Sequence, residues 1–177
     1  MADKDMLSKF SFFSDVPQNK LSAIAEKCDL LEFKADDVVF KSDETAANVY
    51  GILDGEVELA LVFKDKVLRT DIEYEESIRA WFETMEKPIV IGMVGPGEIF
   101  GWSSLVNPGR WTATARCSEP VRAFSLPAAD FKSMMDQDPS LGYLIMGRLS
   151  EIISQRLQDR TKNLIEAWGQ AFDTGKI

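Results

Sequence analysis

The spacing of hydrophobic residues changes twice along this 177-residue chain and divides it into three parts. Between Met6 and Cys28 apolar residues recur at helical spacing, with a break at 15–17 where Pro17 suits the first turn of a second helix. From residue 29 to 126 short apolar runs alternate with turn residues, which is typical of a β-barrel or roll. After Pro127 the spacing is helical again. We therefore expect an α+β protein whose β portion lies between helices.

Eight short strands are expected in the middle part. Gly55 follows Asp54 between two of them, and a glycine there supplies the positive φ of a hairpin turn. The predicted strands are 30–33, 38–40, 49–53, 57–63, 88–94, 99–100, 112–117 and 121–126.

The C-terminal part predicts a short helix that opens at 127–131 and breaks at 136–139, then a long helix from Ser140 to about Phe172. One stripe of the long helix is mostly apolar: Leu149, Ile153, Leu157, Thr161, Leu164 and Trp168. Because the helix is too long to pack wholly on a small roll, we expect 140–177 to form a parallel homodimer, with 1–139 as the roll and its flanking helices. The alternative is a helix that lies entirely on its own domain.

Residues 64–88 form an insertion between two predicted strands. Ile78, Trp81, Phe82 and Met85 fall at i, i+3, i+4 and i+7, and Asp71 suits a helix start, so this segment predicts a helix. Its apolar stripe packs on the outside of its own roll or meets a partner protein; the acidic polar face disfavours a membrane.

Composition excludes several functions. The formal net charge is −9, which disfavours DNA or RNA as a partner. The chain has no histidine, and Cys28 and Cys117 stand far apart, so we expect neither an enzyme nor a metal site, and no cofactor. Without a secretory signal or an apolar stretch long enough to span a bilayer, we expect a cytoplasmic protein with no membrane partner.

Residues 95–115, GPGEIFGWSSLVNPGRWTATA, carry the clearest functional signal. They predict a turn, a short strand, a single helical turn opened by Gly101 and a Pro-Gly-Arg loop before the next strand. The first N–H groups of a helix have no internal acceptor, so a segment of this kind favours an anion such as phosphate.

This segment resembles the phosphate-binding cassette of the cyclic nucleotide-binding domain family, in which Phe-Gly-Glu-x-Ala-Leu precedes Pro-Arg-x-Ala-Thr. The matching residues include those of the cassette and several outside it: Phe100, Gly101, Leu105, Ala113, Thr114, Gly55, Gly97, Leu126, Pro127 and Phe131. The resemblance implies a jelly roll, or double-stranded β-helix, followed by a hinge helix and a C-helix that pairs two subunits. It also implies a regulatory role in signal transduction. The winged helix that binds DNA in relatives of the catabolite activator type is not expected here, because the sequence ends at Ile177.

Two cassette positions depart from the family. Trp102 stands where the family has a glutamate that accepts from the ribose 2′-hydroxyl, and an indole has no acceptor. Trp111 occupies the arginine position in an ungapped alignment, whereas Arg110 takes it if the loop is one residue shorter. Ser103 and Ser104 either cradle phosphate or cap the helical turn. The step at 156–158 resembles the family's C-helix motif and implies that Arg160 and Thr161 lie near the pocket mouth or the partner subunit.

We therefore expect a sensor that binds a small anion, such as cyclic AMP, cyclic GMP or an analogue, in the roll and signals through its C-helix. The alternative is an interaction domain of the same fold that binds no ligand and dimerises, with Trp102 and Trp111 filling the roll. The candidate ligand-binding residues are Phe100, Gly101, Trp102, Ser103, Ser104, Arg110, Trp111, Thr112, Ala113, Arg160 and Thr161.

Overall fold

In the computed structural model, which describes residues 3–74, 77–106 and 109–173, two four-stranded antiparallel sheets form a jelly roll. One sheet has the strand order β1-β8-β3-β6 and the other β2-β7-β4-β5. The strands are β1 Asp29–Phe33, β2 Val38–Phe40, β3 Asn48–Asp54, β4 Val57–Tyr74, β5 Ser77–Val94, β6 Ile99–Phe100, β7 Thr114–Cys117 and β8 Val121–Pro127. The expected jelly roll with eight strands is thus confirmed, and Gly55 has the positive φ, 83°, that its turn requires.

Helices lie before and after the roll, and one short helical turn lies between two of its strands. They are α1 Lys4–Leu7, a 3-10 turn at Ser11–Phe13, α2 Gln18–Ala25, a 3-10 turn at Trp102–Leu105 that we call the cassette helix, α3 Ala128–Gln137 and α4 Pro139–Asp173. Asp138 accepts a hydrogen bond from the backbone N–H of Leu141 at 3.2 Å, and Pro139 is the first residue of α4, as is usual at a capped helix start. These bounds agree with the helices expected after Pro127.

The hydrophobic core has two parts, one inside the roll and one between the roll and the helices. Inside the roll, Phe40, Tyr50, Phe100 and Trp111 stack on one another among aliphatic residues of both sheets. Outside it, the N-terminal helices, α3 and the first half of α4 pack on the other face of the β3 sheet. The second part includes Leu7, Phe10, Phe12, Phe13, Leu21, Ile24, Phe124, Phe131, Leu141, Ile145 and Leu149.

The helix α4 is anchored only by its first half. Leu149 is buried and Ile153 packs against the outer core, so the first two residues of the predicted stripe contact their own domain. Every described side chain from Leu157 to Gln170 is exposed. The apolar residues among them are Leu157, Leu164, Ile165 and Trp168. The helix therefore extends beyond the part of its own chain that covers it.

The prediction of a helical insertion at 64–88 is wrong. The strands β4 and β5 continue through this segment as a two-stranded ribbon, paired from Val57–Val94 to Tyr74–Ser77; Glu75 and Glu76 lie outside the described residues. The ladder that starts in the roll satisfies each new pair of backbone groups as it extends, so a helix would have to interrupt it. In the ribbon Trp81 and Met85 share a face, while Phe82 is on the opposite one.

Both cysteines are buried free thiols. Burial raises the pKa of the Cys28 thiol to about 12 and that of the Cys117 thiol to about 11. The thiolate is the reactive form. We therefore expect neither thiol to react with a disulfide reagent at pH 8 in the folded protein, and both to react once urea unfolds it. Rapid reaction of the folded protein, followed by absorbance, would contradict this burial.

Candidate functional site

The cassette, residues 95–115, is built around two glycines with left-handed backbone. Gly97 has φ 82° and donates its N–H to the carbonyl of Ile52, which ties the turn before β6 to β3. Gly101 has φ 73° and opens the cassette helix. A Cβ at Gly101 would lie 3.0 Å from both Trp111 and Tyr50, so only glycine fits this backbone and this packing. Pro108, in the loop that follows, lies outside the described residues.

The candidate ligand-binding residues divide into two groups. One group lines a small cavity beside the cassette: Gly101, Trp102, Ser103, Trp111, Thr112, Ala113 and Arg160. The other group does not. Phe100 is fully buried in the roll, and the buried Ser104 donates its hydroxyl to the carbonyl of Gly101 at 2.9 Å. The cassette cavity measures about 30 Å³, enough for about one water molecule.

Trp111 explains why this cavity is small. Its indole stacks on Phe40 with ring centroids 3.9 Å apart and planes 14° apart, and it is 4% exposed. The indole thus occupies space inside the roll. Trp102 does not fill the roll: it is half-buried, packs against the outer core and faces the cassette cavity.

Arg110 points away from the cassette cavity. Its Nη1 donates to the carbonyl oxygen of Asp43 at 2.5 Å, and its backbone pairs with Thr45. The residue is exposed and does not line the cassette cavity. The alignment with a loop one residue shorter would place Arg110 at the ligand. In the structure Arg110 does not line the cassette cavity.

Thr161 also lies away from the cavity. It borders a separate surface groove with Leu157 and Ile165 on α4, and its hydroxyl donates to the carbonyl of Leu157 at 2.8 Å. One helical turn separates the two side chains, as expected for residues i and i+4. Of the two C-helix residues predicted for the site, Arg160 lines the cassette cavity of its own chain and Thr161 borders the groove on the exposed part of α4.

A larger cleft, about 440 Å³, lies between α4 and the roll. This volume is within the range of small-molecule sites. Its walls come from β4, β5, β6, α4 and the N-terminal 3-10 turn, and include Phe12, Leu59, Ile91, Met93, Glu98, Ile99, Ile152, Asp159 and Asn163. Leu59, Arg156 and Arg160 line both this cleft and the cassette cavity, so the two spaces adjoin.

Arg156 is the main site residue that the sequence interpretation missed. Its Nη2 donates to the carbonyl of Ile99 at 2.8 Å, which holds the side chain against β6. Burial lowers the pKa of this guanidinium, the nearby charge of Arg160 lowers it further, and Glu98 opposes the change. The signal was available, because Arg156 precedes Arg160 by four residues and so shares its helix face.

Comparisons with known proteins agree with this architecture. The sequence model of the cyclic nucleotide-binding domain matches residues 78–138, from β5 through the cassette and α3. A Geobacter metallireducens protein assigned as cyclic nucleotide-binding is 27% identical, with a TM-score of 0.68 over 89% of this chain and 99% of that one. A cyclic nucleotide-binding domain from Methylobacillus flagellatus superposes with a TM-score of 0.67 at 18% identity, over 92% of this chain and 80% of that one.

A curated relative is the CRP-like cAMP-activated global transcriptional regulator of Mycobacterium tuberculosis. It is 22% identical over 162 residues, which are 92% of this chain and 62% of that protein. The chain thus spans less than two thirds of the length of this relative. The chain is thus similar to cyclic nucleotide-binding domains in sequence over residues 78–138 and in fold over most of its length.

Among the described residues, no helix has the length and hydropathy needed to cross a bilayer.

Proposed function

We propose that this domain is a regulatory module that binds a small anionic ligand, a cyclic nucleotide or an analogue, between its cassette and α4. The ligand would change how α4 packs on the roll, and α4 would transmit that change to a second copy of the chain. The observation that carries the proposal is the cleft of about 440 Å³, because its walls include both roll and α4 residues. A ligand held there contacts both elements at once.

Calorimetric titration of the full chain tests the proposal. We suggest four probes: cyclic AMP, cyclic GMP, cyclic di-GMP and inorganic pyrophosphate. At least one should give a saturable, stoichiometric heat. If none of them binds, the proposal fails.

A second candidate function is supported by Trp111. Because its indole fills the roll and leaves about 30 Å³ beside the cassette, the domain would have kept the fold and lost the ligand. It would then act through its exposed apolar surfaces, such as Leu157 and Trp168 on α4. This candidate predicts dimerisation without a calorimetric response to any of the four probes.

Trp102 leads to a prediction about sugar recognition. An indole cannot accept a hydrogen bond from a ribose hydroxyl, and Trp102 stands where the family has its glutamate. We expect cyclic AMP and its 2′-deoxy analogue to bind with similar affinities. Their difference should be smaller than the roughly tenfold that one lost hydrogen bond causes. A much weaker affinity for the deoxy analogue would show that another residue replaces the glutamate.

A further inference from the structure

Resting on the proposed function, we propose that Arg156 and Arg160 of α4, and not Arg110 of the cassette loop, bind the negative charge of the ligand. The two arginines line the cassette cavity and the cleft at the place where they adjoin. The anion therefore lies at the cassette end of the cleft, between α4 and the loop that carries Thr112.

Hydrogen bonding supports this assignment. A guanidinium has five N–H donors, and in the part of the chain that the structure describes, Arg156 uses one of them, toward Ile99. That bond holds the side chain against β6 and leaves donors for a ligand. Arg160 is exposed on the next helical turn. Two guanidinium groups one turn apart match an anion with several oxygens, such as a phosphodiester.

The charges in the cleft indicate which end the anion occupies. Glu98 and Asp159 line the larger cleft and would repel an anion there. Around the cassette cavity, Arg156 and Arg160 are the charged residues among the described ones that line it. Like charges at i and i+4 repel each other on a helix, and an anion between them relieves that repulsion. Burial is the main cause of the lowered pKa of Arg156, and the neighbouring charge of Arg160 adds to it.

Arg110 is unsuited to this role in the structure. Its guanidinium binds the carbonyl of Asp43, on the loop after β2, and a ligand in the cassette cavity would not reach it without rearrangement of that loop. Trp111 lies between Arg110 and Thr112 in the chain and directs its indole into the roll. In the family, the cation that pairs with the ligand comes from the cassette. In this protein it would come from α4, so the charge of the ligand would interact directly with that helix.

Four variants of the full chain test the assignment, titrated with whichever of the four probes binds the unsubstituted protein. We expect Arg160→Gln and Arg156→Met each to weaken binding by about tenfold to a hundredfold, the loss expected for a charge-assisted hydrogen bond. Arg110→Gln should bind like the parent. Lys162→Gln is the matched control, because it removes one positive charge from the other side of α4.

The outcomes separate this assignment from the proposed function. If Arg110→Gln loses binding while Arg160→Gln and Arg156→Met keep it, a ligand binds but the assignment is wrong. If Lys162→Gln weakens binding as much as Arg160→Gln, the effect is one of net charge and the assignment is also wrong. If no probe binds the unsubstituted protein, both proposals fail. Arg160 is exposed, so Arg160→Gln remains informative even if Arg156→Met disturbs folding.

Discussion

Trp111→Ala is expected to lower the free energy of unfolding by about 3 to 5 kcal/mol, the usual loss when a buried aromatic is truncated. The indole is 4% exposed and stacks on Phe40 inside the roll, so its removal leaves a cavity lined by rings that cannot all move inward. Gly101 makes the loss larger, because its backbone packs against the same indole. Urea denaturation followed by circular dichroism measures the change.

Trp81→Ala is the matched control, since Trp81 lies on the ribbon of β4 and β5 and is 46% exposed. It should change the free energy of unfolding much less. Equal losses in the two variants would mean that Trp111 does not fill the roll in solution. The Trp111→Ala variant is also informative about the ligand. Its cassette cavity is larger than that of the parent protein and would admit a cyclic nucleotide more easily.

We propose that the chain forms a parallel homodimer through α4, and we expect Leu164→Asp to dissociate it into monomers. Leu157, Thr161, Leu164 and Trp168 follow one another at steps of four, three and four residues, the spacing of a coiled-coil seam, and all of them are exposed on the single chain. A carboxylate in the middle of that seam would be buried against its own copy in the dimer, which is strongly unfavourable. Light scattering at tens of micromolar measures the mass of parent and variant.

Leu68→Asp provides the control, because Leu68 is an exposed leucine of the β4–β5 ribbon outside α4. It should leave the dimer intact. If Leu68→Asp dissociates the dimer and Leu164→Asp does not, the ribbon forms the interface. If the parent protein is already monomeric at this concentration, the proposed dimer is wrong. Ile153 is a poor choice for this test, because it packs against its own domain.

Local patterns predicted most of the fold. The apolar runs located all eight strands, although β4 and β5 are longer than expected. Glycines marked several of the turns, since Gly55, Gly97 and Gly101 each have a positive φ. Pro127 marked the start of α3, and the break at 136–139 placed the start of α4 within one residue of Pro139, for the same local reason. These features depend on the backbone preferences of single residues, so they can be predicted from the residue type alone.

The ribbon of β4 and β5 was missed because two local signals disagree there. Trp81, Phe82 and Met85 have helical spacing, whereas Val62, Val67 and Thr70 in the partner strand are β-branched residues that favour a strand. The pairing that decides between them is set by a ladder that begins in the roll. A window restricted to residues 78–85 contains no information about that ladder.

The candidate site was predicted only in part for a similar reason. The cassette residues near Gly101 follow from the motif, and in the structure Trp102, Ser103, Thr112 and Ala113 line one cavity. Where the side chains of Arg110 and Thr161 lie depends on a contact with Asp43 and on the rotation of α4. Neither is visible in the sequence. For Arg156 the sequence shows the shared helix face with Arg160, but not the contact with the carbonyl of Ile99, which comes from a strand far away in the chain.

Amide hydrogen exchange of the full chain, with and without each of the four probes, shows whether a ligand contacts both the roll and α4. At about 1 mM, a probe loads most of any site whose dissociation constant is below about 0.1 mM. We expect at least one probe to slow exchange both in peptides that cover the cassette, 99–105, and in peptides that cover α4 around residues 152–163. No change with any probe, or protection of the cassette while α4 exchanges as before, would contradict a ligand site shared by the roll and the helix.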